Sequence, residues 1–526
     1  MRSSPHSAVV FTVIFFAIFL LHAPLLSLPY FWDEAGYYVP AARDLLVSGS
    51  LVPHTTVSNA HPPLVLAWVA LWWKVAGFAP LVARSAMVVV AAFSLLGLFR
   101  LAEAVANTEV AVGATLCTAV YPVFFSQSSL VQVDLAAAGL IFWGLLAYLE
   151  GRLRATSVWF SLAVLAKETA IIAPIALAGW ELLLRIPALR LRLQNWQGPV
   201  EPTSNKKLLS LVIPVIPLGL WYAYHFSRTG YVFGNPEFFR YNVAATLNPL
   251  RFVLALALRL WQSFGYLHLW LLTGAMALAM TEAPLEDEGV ERLRISIRVQ
   301  LIFAVLIAAY ILAMALIGGA VLARYLLPVV PLVIILAVST LRRRLRYWWS
   351  AVGLVAVVFV VGWFWNPPYG FSPEDNLAYR DYIRLHQDAE RFLEARYPMA
   401  RVLTAWPASD ELARPWLGYV TRPVQVVRIE DFSLEQILSA ADFRQNFDIA
   451  FVFSTKYEPA HPLLERWRKW TEWKRRFFGY EQDLPSAAAA QILGGQIVFS
   501  EERKGQRVAV IEIKREEILN TRRAPD

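Results

Sequence analysis

PPLVLAWVALWWKVAGFAP, residues 62–80, is apolar enough to cross a bilayer yet rich in the aromatic rings that suit its surface, and the side on which later segments fall depends on which it does. If it crosses, Asp134 moves to the inner face while Arg100 and Arg152 face outward, against the tendency of Lys and Arg to stay inside. If it lies along the outer surface, the basic groups fall on one side: Arg100; Arg152 and Arg154; Arg185, Arg190, Arg192, Lys206 and Lys207; Arg292, Arg294 and Arg298; Arg342, Arg343, Arg344 and Arg346. Charge therefore favours the surface placement, provided 156–185 is a hairpin of two short helices and 266–280 is the single span of its region.

Working outward, apolar runs long enough to cross lie at 8–28, 84–104, 109–127, 134–150, 208–226, 297–317, 325–341 and 347–365. With the hairpin and the 266–280 span they make about eleven crossings. The first run has Arg2 before it and no small-residue cleavage site before its aromatic-rich exit, so a retained helix with a cytoplasmic N-terminus is expected. An odd count then places everything after Trp365 outside. The expected fold is a polytopic α-helical membrane protein with a soluble α/β domain at its C-terminus.

Composition agrees: across 526 residues, 57% are hydrophobic, and the mean hydropathy is +0.47. The net charge of +8 comes from basic clusters between apolar runs, the pattern of membrane loops, so no nucleic-acid partner is expected. The single cysteine, Cys117, sits in an apolar run and is read as a packed helix residue. No internal repeat is evident.

From 366 to 526 charges become frequent, and short β-rich runs appear: ARVLTAW, PVQVVRI, FDIAFVF and RVAVIEI. Pro367, Pro368, Gly370 and Pro373 mark the junction. The domain organisation is thus 1–365 in the membrane, with 29–83 as a first outer loop, and 366–526 outside. Nothing in the tail matches a nucleotide- or zinc-binding motif.

The surface placement of 62–80 gathers ionisable groups from separate segments on the outer side: Asp33, Glu34, His61, Asp134, Lys167 and Arg324, with Tyr325. Each has an ordinary explanation. Asp33 and Glu34 can cap the helix that follows, Asp134 can be an N-cap, Glu168 can neutralise Lys167, and Arg324 can anchor at the interface. A lone interfacial histidine such as His61 is more often neither ligand nor catalyst. Together, acids and cations on one face suit a phosphate-bearing substrate and a hydroxyl to be activated. Two acids also leave open a bound divalent cation. A lipid-linked sugar phosphate fits, its tail between helices.

At these residues the sequence resembles the GT-C superfamily of membrane glycosyltransferases, in the bacterial branch that includes the aminoarabinose transferase ArnT and protein O-mannosyltransferase-like enzymes. The resemblance covers roughly the first 345 residues. WDEAGYYVPAARDLLVSGSLVPH is similar to the family's first outer loop, HPPLVLAWVALWWKVAGFAPLVAR to its juxtamembrane helix and arginine-led span, and VQVDLAAAGLIFW to its second aspartate motif. LAKETA resembles the lysine-bearing turn and ARYLLPVVPL the late basic-aromatic motif. Ala60 and His61 stand where the ArnT branch has an acidic–lysine pair, and one arginine stands where it has spaced lysines.

The resemblance implies inverting transfer of a hexose or pentose from a polyprenyl-phosphate donor to a lipid, glycan or protein acceptor at the outer face of a bacterial plasma membrane. It implies Asp33 as general base, Glu34 supporting it, and Asp134 binding acceptor or metal. It further implies Lys167 and Arg324 on the departing phosphate, with His61, Tyr37 and Tyr325 lining the substrate site. Two other readings stand beside it: a transporter or flippase of a lipid-linked sugar that uses the same charges as a translocation path, and a membrane scaffold whose tail recruits partners while the membrane residues are merely structural. Transporters commonly show paired halves and midplane sites, whereas these charges gather at one end without a repeat.

Overall fold

In the computed structural model the described residues are 5–188, 190, 204–234, 236, 248–317, 319–459 and 467–514, so Arg192 lies outside them. The residues group into two compact units that alternate along the chain. Met1–Leu28, Tyr37–Pro367 and Glu374–Tyr379 form the first; Pro29–Gly36, Pro368–Pro373 and Arg380–Asp526 form the second.

The first unit is helical. Its helices are α1 (Pro5–His22), α2 (Val39–Ser48), α3 (Leu64–Ala76), α4 (Pro80–Val105), α5 (Thr108–Val120), α6 (Pro122–Gln127), α7 (Asp134–Leu149), α8 (Leu153–Ala166) and α9 (Ile172–Leu183). They continue as α10 (Asn205–Val212), α11 (Val215–Thr229), α12 (Pro249–Phe264), α13 (Leu269–Ala279), α14 (Ile297–Leu316), α15 (Val330–Arg344) and α16 (Trp348–Phe364). By length and composition, five stretches among the described residues could cross a membrane: Ser7–Leu25, Pro80–Val105, Asn205–Thr229, Pro249–Ala279 and Ile297–Leu316. Shorter apolar helices accompany them, including Leu64–Ala76, Asp134–Leu149 and Leu153–Ala166.

The segments that sequence left ambiguous break where the backbone chemistry dictates. Between α8 and α9 the chain leaves the helix at Lys167, whose φ of −153° and ψ of 133° are extended, and makes a 3-10 turn over Glu168–Ile171. Between α12 and α13 it turns through Leu267 and His268, both at positive φ (44° and 71°). The α3 helix is 13 residues long, roughly 20 Å at 1.5 Å per residue and short of a bilayer core. It buries Val65, Leu66, Val69, Ala70 and Trp73 along one stripe.

Glycine lets the central helices approach closely. A Cβ on Gly139 of α7 would fall 1.9 Å from Ser94 Oγ and 2.9 Å from the Ser94 Cα on α4, and one on Gly144 would fall 2.8 Å from the Phe160 ring of α8. Arg84, fully buried near the start of α4, donates from Nε to Leu28 O (3.1 Å) and from Nη1 to Ser129 O (3.3 Å). It thereby ties the end of the first apolar run to the loop before α7.

The second unit is built on a five-stranded sheet in the order β4-β3-β5-β7-β6, from β3 (Arg401–Ala405), β4 (Gln425–Ile429), β5 (Ile449–Phe453), β6 (Gly495–Arg503) and β7 (Gln506–Ile513). β1 and β2 are a separate two-residue ladder, Glu286–Asp287 with Val290–Glu291, in the first unit. β3 runs parallel to β4 and β5, with Leu403 opposite Val427 and Ala450, while β7 is antiparallel to β5 and β6. All five residues of β5 are buried, as expected for a central strand covered on both faces. The helices α17 (Ala378–Arg396) and α18 (Ala408–Ala413) precede and follow β3, and α19 (Leu434–Asp442), α20 (Arg468–Phe478) and α21 (Ser486–Leu493) come later.

Pro29–Gly36, placed by sequence in the first outer loop of the membrane domain, groups with this second unit through aromatic packing. Trp32 meets Trp406 at 5.3 Å and Phe31 meets Tyr382 at 5.1 Å between ring centroids, and Tyr419 Oη donates to Tyr30 O at 3.0 Å. Gly36 is pressed on the Trp406 indole so closely that a Cβ would lie 2.3 Å from it.

Candidate functional site

Asp134 is the first helical residue of α7, with Val133 in the N-cap position before it. The Asp134 carboxylate faces two cations. Lys167 Nζ bonds Asp134 Oδ1, and Arg324 Nε lies 3.3 Å from Asp134 Oδ2. The extended backbone at Lys167, forced by the break between α8 and α9, carries that side chain away from its neighbour Glu168. Arg324 sits in a 3-10 turn, Ala323–Leu326, that precedes α15.

The network extends to two residues that sequence reading did not single out. Arg324 Nη1 pairs with Glu374 Oε2 and donates to Gln132 Oε1 at 3.0 Å, while Gln132 Nε2 donates to Glu374 Oε2 at 2.8 Å. Glu374 is itself held by its backbone, whose carbonyl accepts from Ser126 Oγ at 2.6 Å. Asp134, Lys167, Arg324 and Glu374 are each at most 5% exposed. Arg324 is therefore fixed among acids inside the protein, not extended along an interface.

Tyr325 gathers the positive charge. Lys167 Nζ lies 3.9 Å from its ring centroid, and the guanidinium carbons of Arg259 and Arg324 lie 5.6 Å from it. Arg259 projects from α12, donating to Leu322 O at 2.7 Å and to Gln262 Oε1 at 2.8 Å. Among the described residues, these three cations and the two acids Asp134 and Glu374 sum to one positive charge, and Tyr325 is common to all three cations.

His61 lies on the other side of the same break. Its Nδ1 is 3.0 Å from Glu168 Oε2, and its ring is 5.8 Å from those of Tyr37 and Tyr38. Because Glu168 adjoins Lys167, the turn between α8 and α9 holds both the His61 pair and the Asp134 pair. Six sequence-nominated residues, Tyr37, His61, Asp134, Lys167, Arg324 and Tyr325, thus belong to this one unit.

No protein-family model matches the sequence, and no curated protein matches it. Solved structures do. ArnT from Cupriavidus metallidurans bound to undecaprenyl phosphate aligns over 97% of this chain and 98% of its own, with a TM-score of 0.53 at 14% identity. The same protein in the apo state aligns over 96% of this chain and 98% of its own, with a TM-score of 0.53 at 15% identity. The chain has the ArnT fold. The archaeal oligosaccharyltransferase AglB from Archaeoglobus fulgidus, in complex with an inhibitory peptide and a dolichol-phosphate, aligns over 96% of this chain and 74% of its own, with a TM-score of 0.47 at 11% identity.

Within this ArnT fold, Asp33 and Glu34 lie on the segment that groups with the second unit. Glu34 is buried, and its Oε2 accepts from the Phe31 amide at 2.8 Å, closing the turn before the π-helical stretch Glu34–Tyr38. Asp33 is half-buried and follows Trp32, which is held at a φ of 40°. A non-glycine residue in that region stores strain, and the packing of its indole on Trp406 is what holds it there. A divalent cation fits poorly at Asp134, since both of its oxygens face resident cations.

Arg259 and Glu374 escaped the sequence reading for different reasons. Arg251 and Arg259 lie eight residues apart on α12, ahead of the 266–280 stretch that sequence takes as the single span of its region, and both are buried. An arginine pair within an apolar helix is itself a signal of function or internal pairing. Glu374 stands in FSPEDN, past the proline-rich junction, where nothing local distinguishes it from a solvated loop acid.

Proposed function

We propose that this protein is an inverting, polyprenyl-phosphate-dependent glycosyltransferase that moves a hexose or pentose to a lipid, glycan or protein acceptor at the outer face of a bacterial plasma membrane. The observation that carries the reading is the cluster in which Lys167, Arg259 and Arg324 surround Tyr325 against only Asp134 and Glu374. One excess positive charge in a water-poor setting suits a singly charged phosphodiester. When the sugar–phosphate bond breaks, the leaving phosphate gains negative charge, which prepositioned cations stabilise more than they stabilise the intact donor. The two acids keep these cations from standing unpaired before the donor binds.

In this reading Lys167 and Arg324 bind the phosphate and Tyr325 orients them. His61 and Tyr37 contact the donor's polar end, and Asp134 holds the cations in place. Asp33 takes the proton from the acceptor hydroxyl, with Glu34 fixing the turn that carries it. The membrane domain of 1–365 makes about eleven crossings, with the N-terminus inside and the tail of 366–526 outside. The fold shared with ArnT, which has been crystallised with undecaprenyl phosphate, supports a donor of that chemical class.

The test is an assay of the purified chain with polyprenyl-phosphate sugars and a panel of acceptors. Release of polyprenyl phosphate, coupled one-for-one to glycosylated acceptor, is expected. Transbilayer movement of unmodified donor without its cleavage would make the protein a transporter and overturn the proposal.

A further inference from the structure

Away from the cation cluster, the second unit buries an unusual trio. His386 and Glu390 stand four residues apart on α17, which puts both on one face of that helix, and Glu411 reaches them from α18. All three are 0% exposed. His386 Nδ1 is 2.6 Å from Glu411 Oε2 and 3.8 Å from Glu390 Oε1, and one ligand atom from each of the three lies within 4.8 Å of the others.

The surroundings are apolar. The Tyr382 ring stacks on the imidazole at 3.9 Å, and Phe451 and Phe453 of β5 meet it edge-on at 5.2 and 4.6 Å. Both oxygens of Glu390, Oε1 of Glu411 and Nε2 of His386 have no hydrogen-bond partner among the described residues, and the buried hydroxyls of Tyr382 and Ser409 are in the same position. Two carboxylates and an imidazole in a dry pocket, with four of their polar atoms orphaned, are costly as they stand.

We propose that His386, Glu390 and Glu411 form a binding site for one divalent transition-metal ion, of the zinc class, that clasps α17 to α18 within the sheet domain. An imidazole nitrogen with carboxylate oxygens is a donor set that such ions favour over calcium or magnesium, which prefer all-oxygen shells. A dication at the three closest atoms offsets the charge of both carboxylates and gives Glu390 Oε1 a partner. A proton shared between Glu390 and Glu411, toward which burial and the neighbouring Glu411 push the Glu390 carboxyl by raising it well above the usual range, removes only one of the two negative charges. The site is distinct from the cation cluster and holds whether or not the protein is a transferase.

The experiment loads the full-length purified chain with Zn²⁺, removes excess by dialysis, and measures retained metal together with the thermal unfolding midpoint. About one equivalent per chain and a raised midpoint are expected for the unsubstituted protein. Glu390→Gln and His386→Gln should each lose that equivalent while keeping helical circular dichroism and monodisperse elution. Glu168→Gln, which alters the other histidine–acid pair, should keep it. Absence of stoichiometric metal in the unsubstituted chain overturns the proposal even if the variants fail to fold. Retention in Glu390→Gln, or loss only in Glu168→Gln, overturns it as well.

Discussion

Arg324 shows how much a single side chain is asked to do. Its guanidinium meets Asp134, Glu374 and Gln132 at once while facing the Tyr325 ring, a task for a planar fork and not for a point charge. Removing the charge altogether would strand two buried acids, at a cost of about 3–5 kcal/mol, and would confound folding with function. Arg324→Lys keeps the charge and loses the fork. We expect it to be expressed and to remain monodisperse, but to raise the KM for a polyprenyl-phosphate donor by about tenfold or more, read from initial rates at saturating acceptor. An unchanged donor KM would remove Arg324 from phosphate binding. Asp33 differs, being only half-buried, so Asp33→Asn should leave the unfolding midpoint in place while lowering kcat by about 10²–10⁴. Wild-type turnover in that variant would end its assignment as the base.

At the scale of elements, the packing of α7 on α4 turns on Gly139. A methyl group there meets not only the Ser94 hydroxyl but the Ser94 Cα at 2.9 Å, and a helix backbone cannot swing aside as a side chain can. Gly139→Ala should therefore destabilise by about 1–3 kcal/mol and lower the detergent-solubilised unfolding midpoint, with Gly179→Ala, where nothing lies within 4 Å, as the control. Equal midpoints for the two variants would show that α4 and α7 can part without cost. Elements of this kind were largely legible in the sequence, because apolar runs and glycines act locally. ARVLTAW, PVQVVRI, FDIAFVF and RVAVIEI each overlie a strand, and the break at Lys167 coincides with the hairpin that charge demanded. β6, Gly495–Arg503, was missed because GQIVFSEER carries charge at its end and does not alternate cleanly. What sequence could not supply was partnership across distance: that Lys167 would choose Asp134 over the adjacent Glu168, and that Glu374, fifty residues beyond Arg324, would complete the network. Both depend on where helices end in space, and no local pattern encodes that.

For the whole molecule, the decisive quantity is the number of crossings, since an odd count sends the two ends of the chain to opposite sides. Helix length alone does not settle it, because several apolar helices, among them Asp134–Leu149 and Leu153–Ala166, are shorter than the roughly 20 residues a span needs. Charge supplies a further expectation: Arg342, Arg343, Arg344 and Arg346 end one apolar stretch and precede another, the pattern of a connection on the inside. The proposed threading then puts Tyr347 on the cytoplasmic side and Met399 outside, and their side chains are 73% and 83% exposed, so either position accepts a thiol probe. In a Cys117→Ser background, which removes the single, buried native thiol, Met399→Cys should react with a membrane-impermeant maleimide in intact cells stripped of any outer membrane. Tyr347→Cys should react only after permeabilisation. Labelling of Met399→Cys only after permeabilisation would make the number of crossings between the two positions even and put the tail inside, whereas labelling of Tyr347→Cys in intact cells would reverse the face on which the Asp134–Arg324 cluster lies. A donor made on the cytoplasmic side would then meet the enzyme before any flipping step, and the proposed outer-face reaction would be untenable.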